Sequence, residues 1–176
     1  TIIVHSGPAI SLSFASTNIT CAGASNGQLQ VNVIGGTSPF TYSWNIGQIS
    51  QNINSLSPGI YTVTVTDALS CATSGSDTIV EPLPLFGNPT ITAISCFNQN
   101  DGSISLNTSG GTAPYHYSWS TGDTLQSISN LSAGTYTVNI IDKQFCQEQI
   151  SGTINRPDSL SANIFKRNEG CKGDNQ

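Results

Sequence analysis

The residue types able to do chemistry are few in this chain and stand apart from one another. Its histidines are His5 and His116, and neither has a histidine at the equivalent place of the internal repeat described below. Catalysis needs a nucleophile beside a base, or paired carboxylates, gathered in a cleft. Asp67 and Asp142 each end a run of alternating Tyr, Val, Ile and Thr, but no second carboxylate is common to their surroundings. A carboxylate in that place is expected to cap a turn. Asn98-Gln99-Asn100-Asp101-Gly102 has a faint likeness to a calcium loop, which needs several oxygen ligands at fixed spacing. Its counterpart, Gly23–Gly27, has no carboxylate, so a tight hairpin turn is the reading preferred. The cysteines lie too far apart to form a zinc knuckle. These residues predict no enzyme, no metal and no cofactor.

One further pattern could bind rather than react. Phe40, Tyr42 and Trp44 alternate, as do Tyr115, Tyr117 and Trp119, and a strand puts each trio on one face. Exposed, such a stripe stacks on sugars, with Trp44 and Trp119 as the glycan contacts. Buried, it is the core of a small sandwich that has few other large side chains, and this is the expectation.

Composition narrows the partners. Charged residues are 9% of the 176, against roughly 25% in an average soluble protein. No Lys or Arg occurs before Lys143. Binding to nucleic acid or to an anionic membrane draws on cations, so neither partner is expected. No apolar run is long enough to span a bilayer, and membrane insertion is not expected. A chain rich in Ser, Thr and Asn and free of Met reads as a secreted or bacterial surface protein.

The elements that position these residues recur with a period of 75. Cys21, Cys96 and Cys171 are spaced by it, as are Cys71 and Cys146. The same offset carries Gly35-Gly36, Pro39, Trp44, Leu56, Tyr61 and Asp67 onto Gly110-Gly111, Pro114, Trp119, Leu131, Tyr136 and Asp142. Between Cys21–Pro82 and Cys96–Pro157, 25 of 62 ungapped positions are identical, which chance does not produce. With one inserted residue allowed for, Ile2-Ile3-Val4 aligns with the last strand of a repeat, Thr78-Ile79-Val80, and Ser161–Gln176 aligns with the start of another. The expected division is therefore 1–14 as the end of a preceding repeat and linker, 15–88 and 89–160 as complete repeats, and 161–176 as the start of a third. The chain is read as part of something much longer.

Within each repeat, short alternating runs fall between Gly, Pro, Asn and Ser clusters, the pattern of an all-β Greek-key sandwich. In the second they are Thr90–Ile94, Ser103–Thr108, Tyr115–Ser120, a stretch near Gln126–Ile128, Gly134–Ile141 and Gln149–Ile154. Leu56–Tyr61 and Leu131–Tyr136 resemble the tyrosine corner, in which the ring packs inward and its hydroxyl bonds upstream backbone. The links, Pro82–Pro89 and Pro157–Asn163, are short and contain Pro, which favours a semi-rigid rod.

These motifs carry a family resemblance. Cys-x(5)-Gly, Gly-Gly-Thr-x-Pro-[Phe/Tyr]-x-Tyr-Ser-Trp, Leu-Ser-x-Gly-x-Tyr-Thr-Val and Asp-x(3)-Cys together resemble the SprB-type repeat of very large Bacteroidetes surface adhesins, including the mobile adhesin of gliding bacteria. Tyr117-Ser118-Trp119-x-x-Gly122-Asp123 is also similar to PKD-type sandwiches. The resemblance implies tandem Ig-like or PKD-like β-sandwich repeats, placed at the extracellular bacterial cell surface by the type 9 secretion system. It implies a structural stalk segment with a part in gliding motility or attachment. The partners would be neighbouring repeats of the same chain, the secretion and gliding machinery through the parent protein, and surface glycans. Two alternatives stand beside the stalk: a glycan-binding module using the aromatic strand, and an accessory repeat array of a secreted polysaccharide-degrading enzyme.

An even number of cysteines per repeat in an exported chain argues for bonded pairs. The pairs expected are Cys21–Cys71 and Cys96–Cys146, each repeat folding as a unit, with Cys171 left without its partner; the competing pair is Cys71–Cys96 across the link. Lys–Asn isopeptide bonds are excluded from the first complete repeat, which has no lysine. Asp77-Thr78-Ile79, Asp123-Thr124-Leu125 and Asp158-Ser159-Leu160 resemble the Bacteroidetes O-glycosylation signal, which makes Thr78, Thr124 and Ser159 candidate glycan attachment sites.

Overall fold

The computed structural model describes residues 8–157. His5, Ser159, Cys171, the segments 1–7 and 161–176 and most of the second link lie outside the described residues. The first repeat consists of β1 (Ser11–Thr17), β2 (Gly27–Ile34), β3 (Thr41–Trp44), β4 (Asn52–Leu56), β5 (Gly59–Thr66) and β6 (Ala72–Ile79). The second consists of β7 (Phe86–Thr92), β8 (Gly102–Ser109), β9 (His116–Trp119), β10 (Ser127–Leu131), β11 (Gly134–Ile141) and β12 (Gln147–Ile154). Each strand of the second begins and ends 75 residues after its twin. β1 and β7 straddle positions 15 and 89, where complete repeats were expected to begin.

Each repeat is a sandwich of two three-stranded antiparallel sheets, β1-β2-β4 facing β3-β5-β6 and β7-β8-β10 facing β9-β11-β12. This is the strand arrangement of an Ig-like fold, in which sequence neighbours are shared between the two sheets. Among the described residues there is no helix.

Alternation dictates the faces. In β5, Tyr61, Val63 and Val65 point inward and are buried, while Ile60 is 66% exposed. Leu29 and Val31 of β2 meet them from the other sheet, with Trp44, Ile53, Leu56 and Ile79 completing one core. Leu106, Ile104, Trp119, Ile128, Leu131, Val138, Ile140 and Ile154 form the equivalent core of the second repeat. Full burial of one such side chain contributes about 2 kcal/mol.

Strand direction sets two opposite ends on each sandwich. β1 and β6 both finish at the trailing end, where Ile19 N donates to Val80 O (3.1 Å). β5 finishes and β6 starts at the leading end, where Asp67 N donates to Cys71 O (2.9 Å) and Ala68 N to Thr37 O (2.9 Å). The eight residues of β6 separate the two ends by about 25 Å.

Candidate functional site

The leading end of each repeat is organised by one buried carboxylate. Asp67 Oδ1 accepts the backbone N–H groups of Leu69 (2.9 Å) and Cys71 (2.9 Å), and Oδ2 accepts that of Thr37 (3.0 Å). Asp142 does the same with Gln144 (2.8 Å), Cys146 (2.9 Å) and Thr112 (2.7 Å). Both are the turn-capping carboxylates expected from sequence. Burial pushes the Asp67 carboxyl up, but the N–H groups of Cys71, Thr37 and Leu69 outweigh it and hold the group below the usual carboxylate value. A carboxylate with its oxygens committed to backbone donors is an anchor rather than a proton carrier.

The glycine pair beside it has a steric reason. Gly35, Gly36, Gly110 and Gly111 all have φ between 57° and 79°, a region that L side chains rarely adopt. A Cβ on Gly111 would also lie 2.7 Å from Asp142 Oδ2. The turn closes on the incoming link: Gly111 N donates to Leu83 O (2.8 Å), and Gly36 N to Pro8 O (3.0 Å). The residues before each sandwich are thus docked on it.

The other sequence candidates resolve as follows. Trp44 and Trp119 are only 3% and 4% exposed, and their Nε1 atoms donate to Ser50 O and Leu125 O, both at 2.8 Å. The stripe faces the core, so these rings offer no face to a sugar, and the glycan-contact assignment is corrected. The tyrosine corner is formed in both repeats, with Tyr61 Oη donating to Ser57 O (2.8 Å) and Tyr136 Oη to Ser132 O (3.0 Å). Asp101 Oδ1 accepts from Ser95 N (2.9 Å) and Asn26 Oδ1 from Thr20 N (3.2 Å), so the loop resembling a calcium site is a pinned turn. The Ser95 side chain and N–H hold the Asp101 carboxyl below its usual value. Among the described residues no three His, Cys, Asp or Glu side chains converge as metal ligands. His116 is exposed on β9, Thr78 on β6, and Thr124 in the loop before β10.

The cysteines overturn the expected pairing. Cys21 is bonded to Cys146, 125 residues away, while Cys71 and Cys96 are exposed free thiols. The in-repeat pair Cys21–Cys71 fails on geometry. Cys21 follows β1 at the trailing end and Cys71 precedes β6 at the leading end, whereas bonded cysteines need Cα atoms within about 7 Å. Cys96 and Cys146 stand at opposite ends of the second sandwich for the same reason. The trailing end of the first repeat meets the leading end of the second, which brings Cys21 and Cys146 to a Cα separation of 5.6 Å. Cys146 Sγ also lies 3.4 Å from Thr20 O. Two clefts flank the bond, one lined from both repeats by Ile19, Val80, Thr112 and Gln144, the other by Ala22, Pro84, Leu85 and Phe145. The candidate functional site is this stapled junction. The missed signal was strand direction: a cysteine after the first strand and one after the fifth emerge at opposite ends.

The SprB repeat family matches residues 13–48 and 88–124, once in each sandwich. No curated protein matches the chain. Among solved structures, the chain is similar to one reported as the structural basis for Dscam isoform specificity (12% identity, TM-score 0.35), covering 87% of this chain and 47% of that one. It thus spans about half the length of the Dscam chain. It is also similar to murine CEACAM1b (13%, TM-score 0.33, covering 84% and 100%) and to an amphioxus IgVJ-C2 molecule (13%, TM-score 0.33, covering 85% and 98%). Repeated in sequence, in strand frame and in family match, the chain carries two copies of a SprB-type repeat.

Proposed function

We propose that this chain is a structural stalk segment of a large repetitive surface adhesin, holding a distant adhesive part away from the cell. The observation that carries the reading is the bond from Cys21 to Cys146, which ties one sandwich to the next instead of closing either on itself. A bond so placed resists separation of neighbouring repeats. The docked link acts the same way: Leu83 O is held by Gly111 N, so the short Pro-containing connection is not a free hinge. The groups able to do chemistry are spent on structure, with Asp67 and Asp142 saturated by backbone donors and both Trp rings buried. A disulfide fits an oxidising, extracellular setting. Export by the type 9 system, a Bacteroidetes source, a place in gliding or attachment and O-glycans at Thr78 and Thr124 belong to this proposal through the family resemblance.

Stretching the chain by its two ends tests it. While the bond is intact, the 125-residue stretch between Cys21 and Cys146 contributes no extension. Addition of a thiol reductant should release about 400 Å of further contour length. Equal lengths with and without reductant would defeat the stalk reading. So would micromolar binding of the oxidised chain to a defined polysaccharide, which would move the assignment to a glycan-binding module.

A further inference from the structure

Four cysteines are presented by the backbone in two matched ways, yet only one of each kind is bonded. Cys21 and Cys96 stand at trailing ends in the same turn, closed by Ala24 N to Cys21 O (3.0 Å) and Gln99 N to Cys96 O (3.1 Å). The buried Ile19 and Ile94, each 5% exposed, anchor the two turns alike. Cys71 and Cys146 stand at leading ends, each giving its N–H to the buried Asp (2.9 Å) and its carbonyl to that Asp's N–H (2.9 and 3.0 Å). What differs is the neighbour. A trailing cysteine facing a leading one is bonded, and Cys71 and Cys96 face no other described repeat.

We infer that Cys71 and Cys96 are half-sites of further staples, Cys71 taking the first cysteine of a preceding repeat and Cys96 the second cysteine of a following one. An array of these repeats is then laced by disulfides from every unit to the next. The partner is another copy of this same module, since each half-site is matched by the geometry of the bond already formed. The docking before the first sandwich supports it: Pro8 O is held by Gly36 N as Leu83 O is held by Gly111 N. The chain therefore enters the first repeat as it enters the second. At the trailing end of the second repeat, Phe97 is 43% exposed beside Cys96, with the Arg156 guanidinium 5.0 Å above its ring. Phe97 is the counterpart of Ala22, which lines a cleft at the formed junction. Each staple joins two thiols and yields two protons and two electrons. A disulfide oxidant accepts both by thiol–disulfide exchange and leaves as two thiols.

This inference rests on the reading of the chain as part of a longer array, and the test separates the two. The protein is the full chain with residues 8–157 inserted a second time after position 157. The insert is two whole periods, which keeps the repeats in phase. After oxidation in glutathione buffer, free thiols are alkylated and the protein is digested with pepsin in acid for mass spectrometry. The expected result is a Cys21–Cys146 bond in each copy and a bond joining Cys96 of the first copy to Cys71 of the inserted one. That leaves two fewer alkylatable thiols than Cys21–Cys146 bonds alone would. If both Cys21–Cys146 bonds form while that Cys96 and that Cys71 are alkylated, or bond within one copy, the inference is overturned and the stalk reading stands. If the longer chain fails to form Cys21–Cys146, the original chain carrying Cys171→Ser decides the matter. Concentrated in the same buffer, its covalent dimers should be joined Cys96 to Cys71, and a statistical mixture with Cys71–Cys71 and Cys96–Cys96 pairs would overturn the inference.

Discussion

In the first repeat β1 brings Leu12 and Phe14 to its seam with β6, and β6 answers with Gly75; in the second, β7 brings Gly87 and Pro89, and β12 answers with Ile150. The bulk has changed sides. A Cβ on Gly75 would stand 3.0 Å from the Phe14 ring, and one on Gly87 would stand 2.6 Å from Ile150 Cδ1. Close packing at this seam fixes the volume to be filled and leaves open which strand fills it. The positions matched in identity are of another kind. Asp67 and Asp142 must accept three N–H groups, Tyr61 and Tyr136 must reach a carbonyl, and the cysteines must meet a sulfur. Directional chemistry has no substitute of equal volume, so there the two repeats agree.

The comparison breaks most visibly at the cysteines. Cys146→Ser opens a ring spanning 125 residues, and the chain-entropy treatment puts the loss at about 5 kcal/mol. Cys71→Ser, its twin in the first repeat, should leave stability within about 0.5 kcal/mol of the parent. Guanidinium unfolding without reductant measures both. Equal losses would mean that the two leading ends are equivalent in this chain, against the bonding described.

The seam sharpens it. Gly75→Ile alone overpacks the first repeat against Leu12 and Phe14 and should cost about 2 kcal/mol. Adding Leu12→Gly and Phe14→Pro transplants the second repeat's solution and should recover most of that loss, read as a coupling in a mutant cycle. A triple variant less stable than the sum of its parts would show that the seams are not interchangeable.

The smallest effect lies with Asp67 and is read in acid. Its folded-state carboxyl sits below the unfolded value of about 3.9. Its contribution is therefore complete above that value and is lost as pH falls through the lower, folded one. Asp67→Asn should flatten the acid limb of the stability profile of the first repeat. Hydrogen exchange resolved by repeat, compared between neutral pH and pH 3, checks it; an unchanged acid limb in the first repeat would remove Asp67 from the account.

Much of this was legible in the residues. The 75-residue period foretold the matched strand frames, because insertions or deletions would have broken the ungapped alignment. Alternation at Tyr61, Val63 and Val65 foretold the buried face, and the scarcity of other large side chains foretold that Trp44 and Trp119 would be core. The disulfide was not legible from cysteine count. Two per repeat describe a closed unit and a ladder equally well, and only the direction of β1 against β6 tells them apart. The seam was hidden for a similar reason, since Leu12 and Gly75 are far apart in sequence and meet only once the sheets are stacked.

The bond between Cys21 and Cys146 makes the backbone between them one of two covalent routes across the junction. A single peptide cleavage anywhere on that arc opens a ring and does not part the protein, because the sulfur bridge still joins the fragments. Severing the strand requires two separate events, a cut and a reduction, or a cut outside the ring. Within that ring, parting the chain takes both a cut and a reduction, and a nick there is damage that the molecule outlives.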